Sequence, residues 1–117
     1  MSSGIIESGL SPRALDLHRA LASLQEELEA IDFYQQRVDA SQGGTLKRVL
    51  AHNGDDEWEH AVLALEWLRR TLPELDFQLR KVLYSTGDIA APADPEPGRA
   101  GAEGRGLGLG ALRKERP

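Results

Sequence analysis

The chain has no cysteine, only two residues each of Trp, Tyr and Phe, and no long apolar run. Each scarcity excludes something. Without cysteine no disulfide can brace the fold, so reinforcement must come from metal or from association of copies. No stretch approaches the ~20 apolar residues that span a bilayer, so no membrane segment is expected. Met1 to Leu10 is Ser/Gly-rich, with one Ile5-Ile6 pair and no basic start, and no secretory signal is expected there. Basic charge is also short. The net charge is −5, and the surplus acid lies before Asp88, because acids and bases cancel from there on. A mildly acidic body argues against nucleic acid, whose phosphates demand a basic face, and suits a protein that collects cations. A length of 117 residues allows one small domain, and 40% hydrophobic content is thin for a large core.

What is present is helical. Ser11-Pro12 reads as a cap and first helical residue, with Asp16 soon after to suit the helix dipole. That pattern runs to about Ala40, where Ser41-Gln42-Gly43-Gly44 stops it. Thr45 is expected to cap a second helix reaching about Arg70, with Arg69-Arg70 at its negative end. Gly54, inside that helix, marks either an irregularity or a close backbone approach. Pro73 starts a short third helix, Glu74 to Tyr84, ended by Thr86-Gly87. A link of about four residues between the long helices makes them an antiparallel hairpin.

Each long helix carries a stripe in alternating steps of three and four. On the first it runs Leu17, Ala20, Leu24, Glu27, Ile31, Tyr34, Val38. On the second it runs Leu46, Leu50, Asn53, Glu57, His60, Ala64, Trp67. Both are broken near the middle by metal-ligand types. A carboxylate taken out of water costs several kcal/mol unless something compensates it. Glu57 and His60, three apart, project from one face and can reach a single ion. Antiparallel packing brings Glu27 level with them. Two carboxylates and one imidazole are half the ligand set of a carboxylate-bridged di-iron bundle, and a second copy supplies the other half. Leu21, Leu28, Leu63, Leu65 and Leu68 add apolar surface that one hairpin cannot bury, which also points to a two-fold dimer. The fold expected is therefore all-α: a two-helix hairpin plus a short C-terminal helix, forming a four-helix bundle by dimerisation. Mixed carboxylate and imidazole donors favour iron or manganese, and iron is expected.

The remaining candidates divide more evenly. Tyr34 is either a packing tyrosine or a hydrogen-bonding or redox neighbour of the cluster. Asp55, Asp56 and Glu59 read as a solvated acidic face that could draw cations inward. His52 reads as surface, His18 carries no assigned role, and Trp58 and Trp67 read as packing residues. From Ala90 the composition shifts to an extended linker ending in Gly106-Leu107-Gly108-Leu109-Gly110-Ala111-Leu112. That tail is either unstructured or fitted to an apolar groove on a partner.

The run Glu26 to Tyr34, followed by Gln36 to Ser41, Leu50-Ala51-His52-Asn53, Asp56 to Ala61 and Leu65 to Arg70, resembles the encapsulated ferritins over roughly Arg19 to Leu83. The tail resembles the peptide that loads such cargo into an encapsulin shell. The resemblance implies a ferroxidase with a di-iron centre at a dimer interface, a ring of five dimers, and iron passed to the shell for storage. Carried over by position, Glu27, Glu57 and His60 would ligate iron, with Tyr34 nearby. Glu26 and Glu29 would form a secondary divalent-cation site on the entry route. Leu107, Leu109 and Leu112 would engage the encapsulin. Location would be the cytoplasm of a bacterium or archaeon, inside that compartment. Phe33 stands where the family usually has Trp, and Gly54 and Trp58 replace charged residues, which bears on entry and ring contacts. The organisation expected is a flexible N-terminus at 1–10, the helical domain at 11–87, a linker at 88–105 and a targeting peptide at 106–117. Two alternatives are a non-catalytic helical adaptor, whose seam acids hold structural metal or none, and zinc or calcium held for assembly alone.

Overall fold

The computed structural model describes residues 4–95, and among these the chain is all-helical with no strand. Helix α1 spans Pro12–Ala40, α2 spans Gly44–Thr71 and α3 spans Pro73–Val82. Residues 96–117 lie outside the described part, and with them most of the expected linker and the whole proposed targeting peptide, Leu107, Leu109 and Leu112 included. Two compact units divide between Leu68 and Arg69. No helix among the described residues is long and apolar enough to cross a membrane.

The first unit is the hairpin. Ser11 caps α1, its hydroxyl accepting from the Ala14 N–H at 3.0 Å, and Pro12 occupies the first turn. The first turn holds no acid, contrary to the reading of Asp16 as a dipole partner. Asp16 instead pairs with Arg19 at 2.8 Å on the exposed surface. The far end is closed by Ser41, whose N–H and hydroxyl both donate to the Arg37 carbonyl. The chain then reverses through Gly43 and Gly44, at φ of 103° and 79°, backbone that side-chain-bearing residues rarely adopt. Helix α2 begins at Gly44, so Thr45 sits inside the helix and is not its cap.

Antiparallel packing is visible in the cross-contacts. Glu27 meets Glu57 and His60, whereas Tyr34, further along α1, meets Gly54, further back along α2. The α1 stripe from Leu17 to Val38 is half-buried or buried throughout, as its spacing predicts, with Ile31 only 6% exposed. The α2 stripe departs from expectation. Leu50, Glu57 and Ala64 turn inward, but Leu46, Asn53, His60 and Trp67 are exposed. The inward residues between them are Gly54, Ala61 and Leu68 instead. The reason is volume. A Cβ added at Gly54 would come within 2.8 Å of Tyr34 Cβ, so at that crossing the helices meet too closely for any larger residue to face inward. Bulky Leu46 and Trp67 are thereby left outside. Leu68, read from sequence as spare apolar surface, is the most buried side chain described, and Leu65 is half-buried.

Helix α3 lies in the second unit. Pro73 opens it, acids Glu74 and Asp76 stand in its first turn, and Arg80 and Lys81 stand in its last, each complementing the helix dipole. It ends at Val82, earlier than the Tyr84 expected, because Leu83 turns extended and Tyr84 takes a φ of 62°. Thr86 and Gly87 therefore lie beyond the helix end and do not form it. Asp76 accepts from Arg69, and from Arg80 Nε at 3.1 and 3.0 Å, so one carboxylate holds two guanidinium groups.

Candidate metal centre

Glu27 comes from the middle of α1, and Glu57 and His60 from one turn of α2. Each offers one donor atom, and these three atoms lie within 4.8 Å of one another. His60 Nδ1 is 3.2 Å from Glu57 Oε1 and 3.6 Å from Glu27 Oε1. Atoms that bind one ion at roughly 2.0–2.2 Å sit a little over 3 Å apart when adjacent, so the spacing fits a shared cation. No other group of three such donors occurs among the described residues.

The electrostatics are those of a crowded acidic site. Glu27 is held above the ordinary carboxyl range, first by its hydrogen bond to Glu57, then by loss of solvent and by Glu57's charge. Glu57 is held below that range, chiefly because its carboxylate accepts from Glu27 and then from His60. His60 is raised above 6.5, first by its bond to Glu57, and further by the charges of Glu27, Glu57 and Asp56. Without metal, these contacts favour protons on Glu27 and His60, which ease the repulsion between the two carboxylates. A divalent ion can replace those protons.

The ring of His60 is 51% exposed, whereas the Glu27 and Glu57 side chains are 25% and 19% exposed. The site is thus backed by the hairpin and open on the His60 side. Three donors leave an ion's coordination incomplete, and the apolar residues flanking that side of α2, Leu46, Val49, Leu63 and Trp67, are between 44% and 64% exposed.

Other predicted residues are placed differently. Tyr34 is half-buried against Gly54, with the Arg37 guanidinium 5.2 Å from its ring centroid, and makes no hydrogen bond to the cluster. Glu26 and Glu29 are exposed and join no group of three donors among the described residues. Phe33 and Trp58 are exposed. His52 is exposed, and His18 is half-buried beside Gly4. Asp56 is expected from the sequence on a solvated face that could draw cations inward. Its field acts on His60 one turn along, a relation that the four-residue spacing could have shown.

A helical hairpin presenting two carboxylates and an imidazole on facing helices belongs to the ferritin-like class of metal-carboxylate proteins. Within that class the chain is a member of the EncFtn-like family, whose model matches residues 5–86. It is 44% identical to an encapsulated ferritin-like protein of Rhodospirillum rubrum, over 91% of this chain and 84% of that one. It is 40% identical to a ferritin-like protein of Thermotoga maritima, over 90% of this chain and 92% of the other. A shorter match, 38% identical over 44% of this chain, is to the encapsulin nanocompartment cargo protein EncC of Myxococcus xanthus, 40% of which is covered. A crystal structure of a Nitrosomonas europaea protein, 48% identical, superposes with a TM-score of 0.72 over 75% of this chain and 99% of that one.

Proposed function

We propose that the chain is a ferroxidase that oxidises Fe²⁺ to Fe³⁺ with dioxygen, at a di-iron centre completed by a second copy, and supplies iron for storage inside an encapsulin nanocompartment. The observation that carries this reading is the convergence of Glu27, Glu57 and His60 on one point between two helices. Two chains bring four carboxylates and two imidazoles. The four negative charges balance two ferrous ions, which offsets the repulsion between Glu27 and Glu57, a cause of the raised Glu27 value after their hydrogen bond and loss of solvent. Glu57, which faces both Glu27 and His60 in its own chain, would bridge the ions in this reading, and Glu27 and His60 would terminate each one. The carboxylate-rich field favours the ferric product, since added positive charge is stabilised there. In the reaction each ferrous ion gives one electron to dioxygen, which is reduced with protons towards water.

Residues 11–87 form the assembling helical domain in this reading, and the names of the similar proteins support the compartment. Exposed Glu26 and Glu29 would be a transient cation-collecting pair on the approach, and Leu107, Leu109 and Leu112 would engage the shell. A ring of five dimers is the assembly that goes with this reading. The test is a titration of metal-free protein with Fe²⁺ under nitrogen, followed by air, with ferric absorbance recorded. Rapid oxidation of stoichiometric iron is expected in the wild type and not in Glu57→Ala. No iron uptake, or the same rate in both, would refute it.

A further inference from the structure

The second unit contains a cavity of about 830 Å³ whose wall includes Arg69, Arg80 and Lys81. In a chain of net charge −5, three cations around one cavity stand against the general balance. Nor are they loose surface groups. Their side chains are only 29%, 25% and 28% exposed. Cations drawn partly out of water need anions facing them. Asp76 serves both arginines at once. Lys81 Nζ is 3.2 Å from Asp94, whose side chain is 75% exposed. So exposed an ion pair is weak, and Asp94 is an anion that another can replace.

The same wall includes three exposed hydroxyl-bearing residues, Tyr84, Ser85 and Thr86. None of the three makes a side-chain hydrogen bond among the described residues. Tyr84 also holds a φ of 62°, an uncommon conformation for a bulky residue, of the kind that concentrates at ligand clamps. Guanidinium, ammonium and hydroxyl donors around one cavity are the chemistry that recognises phosphate. The volume lies within the range of small-molecule sites, roughly 300–1,000 Å³, and exceeds what a bare ion requires.

We propose that this cavity binds a small phosphate-bearing anion. Its phosphate would take the place of Asp94 beside Lys81, accept from Ser85 and Thr86, and lie in the field of Arg69 and Arg80. The proposal is independent of the iron site, and its test uses metal-free full-length protein so that phosphate cannot be held through iron. Calorimetric titration with orthophosphate and, separately, with adenosine monophosphate should give saturable binding of at least one, weakening as chloride rises. Tighter binding of the monophosphate marks an ester as the source, and equal or tighter binding of orthophosphate marks the free anion. Lys81→Ala, and Ser85→Ala with Thr86→Ala, should each lower affinity about tenfold. Asp94→Asn should raise it several-fold, a gain that misfolding cannot produce. The proposal is overturned by no saturable binding of either probe, or by adenosine binding as tightly as its monophosphate. Affinity unchanged in the lysine and hydroxyl variants, or lowered in Asp94→Asn, overturns it equally.

Discussion

At His60 a proton and a metal ion compete for one nitrogen. In the metal-free chain the raised pKa means that the protonated ring, bonded to Glu57, stabilises the fold. That contribution is fully present below 6.5 and is lost as pH rises through the folded value. Glu27 is raised as well, so its neutral form persists into a window above the usual 4.5. Glu57, being lowered, stays ionised in both windows. Metal binding runs the opposite way, because it requires neutral imidazole and ionised carboxylates. Iron affinity should therefore strengthen as pH rises past the His60 value, and binding near pH ~7 should release protons. Calorimetry in buffers of different ionisation enthalpy measures that release, which should shrink in His60→Ala. A pH-independent affinity between about 6 and 8 would remove His60 from the ligand set. Alanine at Glu27, Glu57 or His60 should slow ferrous oxidation at least about 100-fold in stopped-flow absorbance, since losing a ligand exceeds the usual effect of losing its support.

At the scale of elements, Gly54 decides how closely the hairpin packs. Alanine normally gains up to ~1 kcal/mol over glycine in a helix. Here its Cβ would meet the Tyr34 Cβ at 2.8 Å, an atom tied to the backbone and unable to swing aside. Overpacking of this kind costs about 1–3 kcal/mol, so Gly54→Ala should lower the denaturation midpoint. A raised midpoint would mean that propensity wins and the contact is soft. The same contact shows what could be read in advance. The α1 stripe was legible because its three-four spacing keeps one phase from Leu17 to Val38, with Glu27 its one charged member. Helix α2 is apolar on two sides. Its pattern alone does not say whether Leu46 and Trp67 or Gly54 and Ala61 face the partner helix. Small size settled it, and size matters only once two backbones meet. Glu57 belongs to both phases, and so the cluster survived an error in the phase of its own helix. The end of α3 was also misplaced, because the left-handed Tyr84 has no local sequence cue that favours it.

For the whole molecule, the hairpin leaves large apolar groups outside, including Leu63 at 62% and Leu46 at 64% exposed. Surface of this kind beside a half-complete metal site fits a covering copy of the same chain. Leu63→Glu should then reduce the assembled mass in light scattering and slow oxidation, while leaving helicity and all three ligands in place. Unchanged mass would point to another interface. On the proposal that metal binds the assembled form, added Fe²⁺ under nitrogen should also raise the melting temperature, and more so at higher protein concentration. Deleting Leu107 to Pro117 should leave oxidation intact and abolish co-purification with co-expressed encapsulin; retained co-purification would refute the targeting role. That expectation rests on the resemblance, since the glycine-spaced leucines alone leave an unstructured tail and a groove-binding tail equally open.

The central claim is that three residues make half a site and a second copy makes the rest. Native mass spectrometry during anaerobic Fe²⁺ titration tests it most directly. The account predicts even-numbered assemblies that grow with iron and saturate near one ion per chain, with Glu57→Ala remaining unloaded. Iron-saturated monomers as the end state, or assemblies that take up no iron, would contradict it.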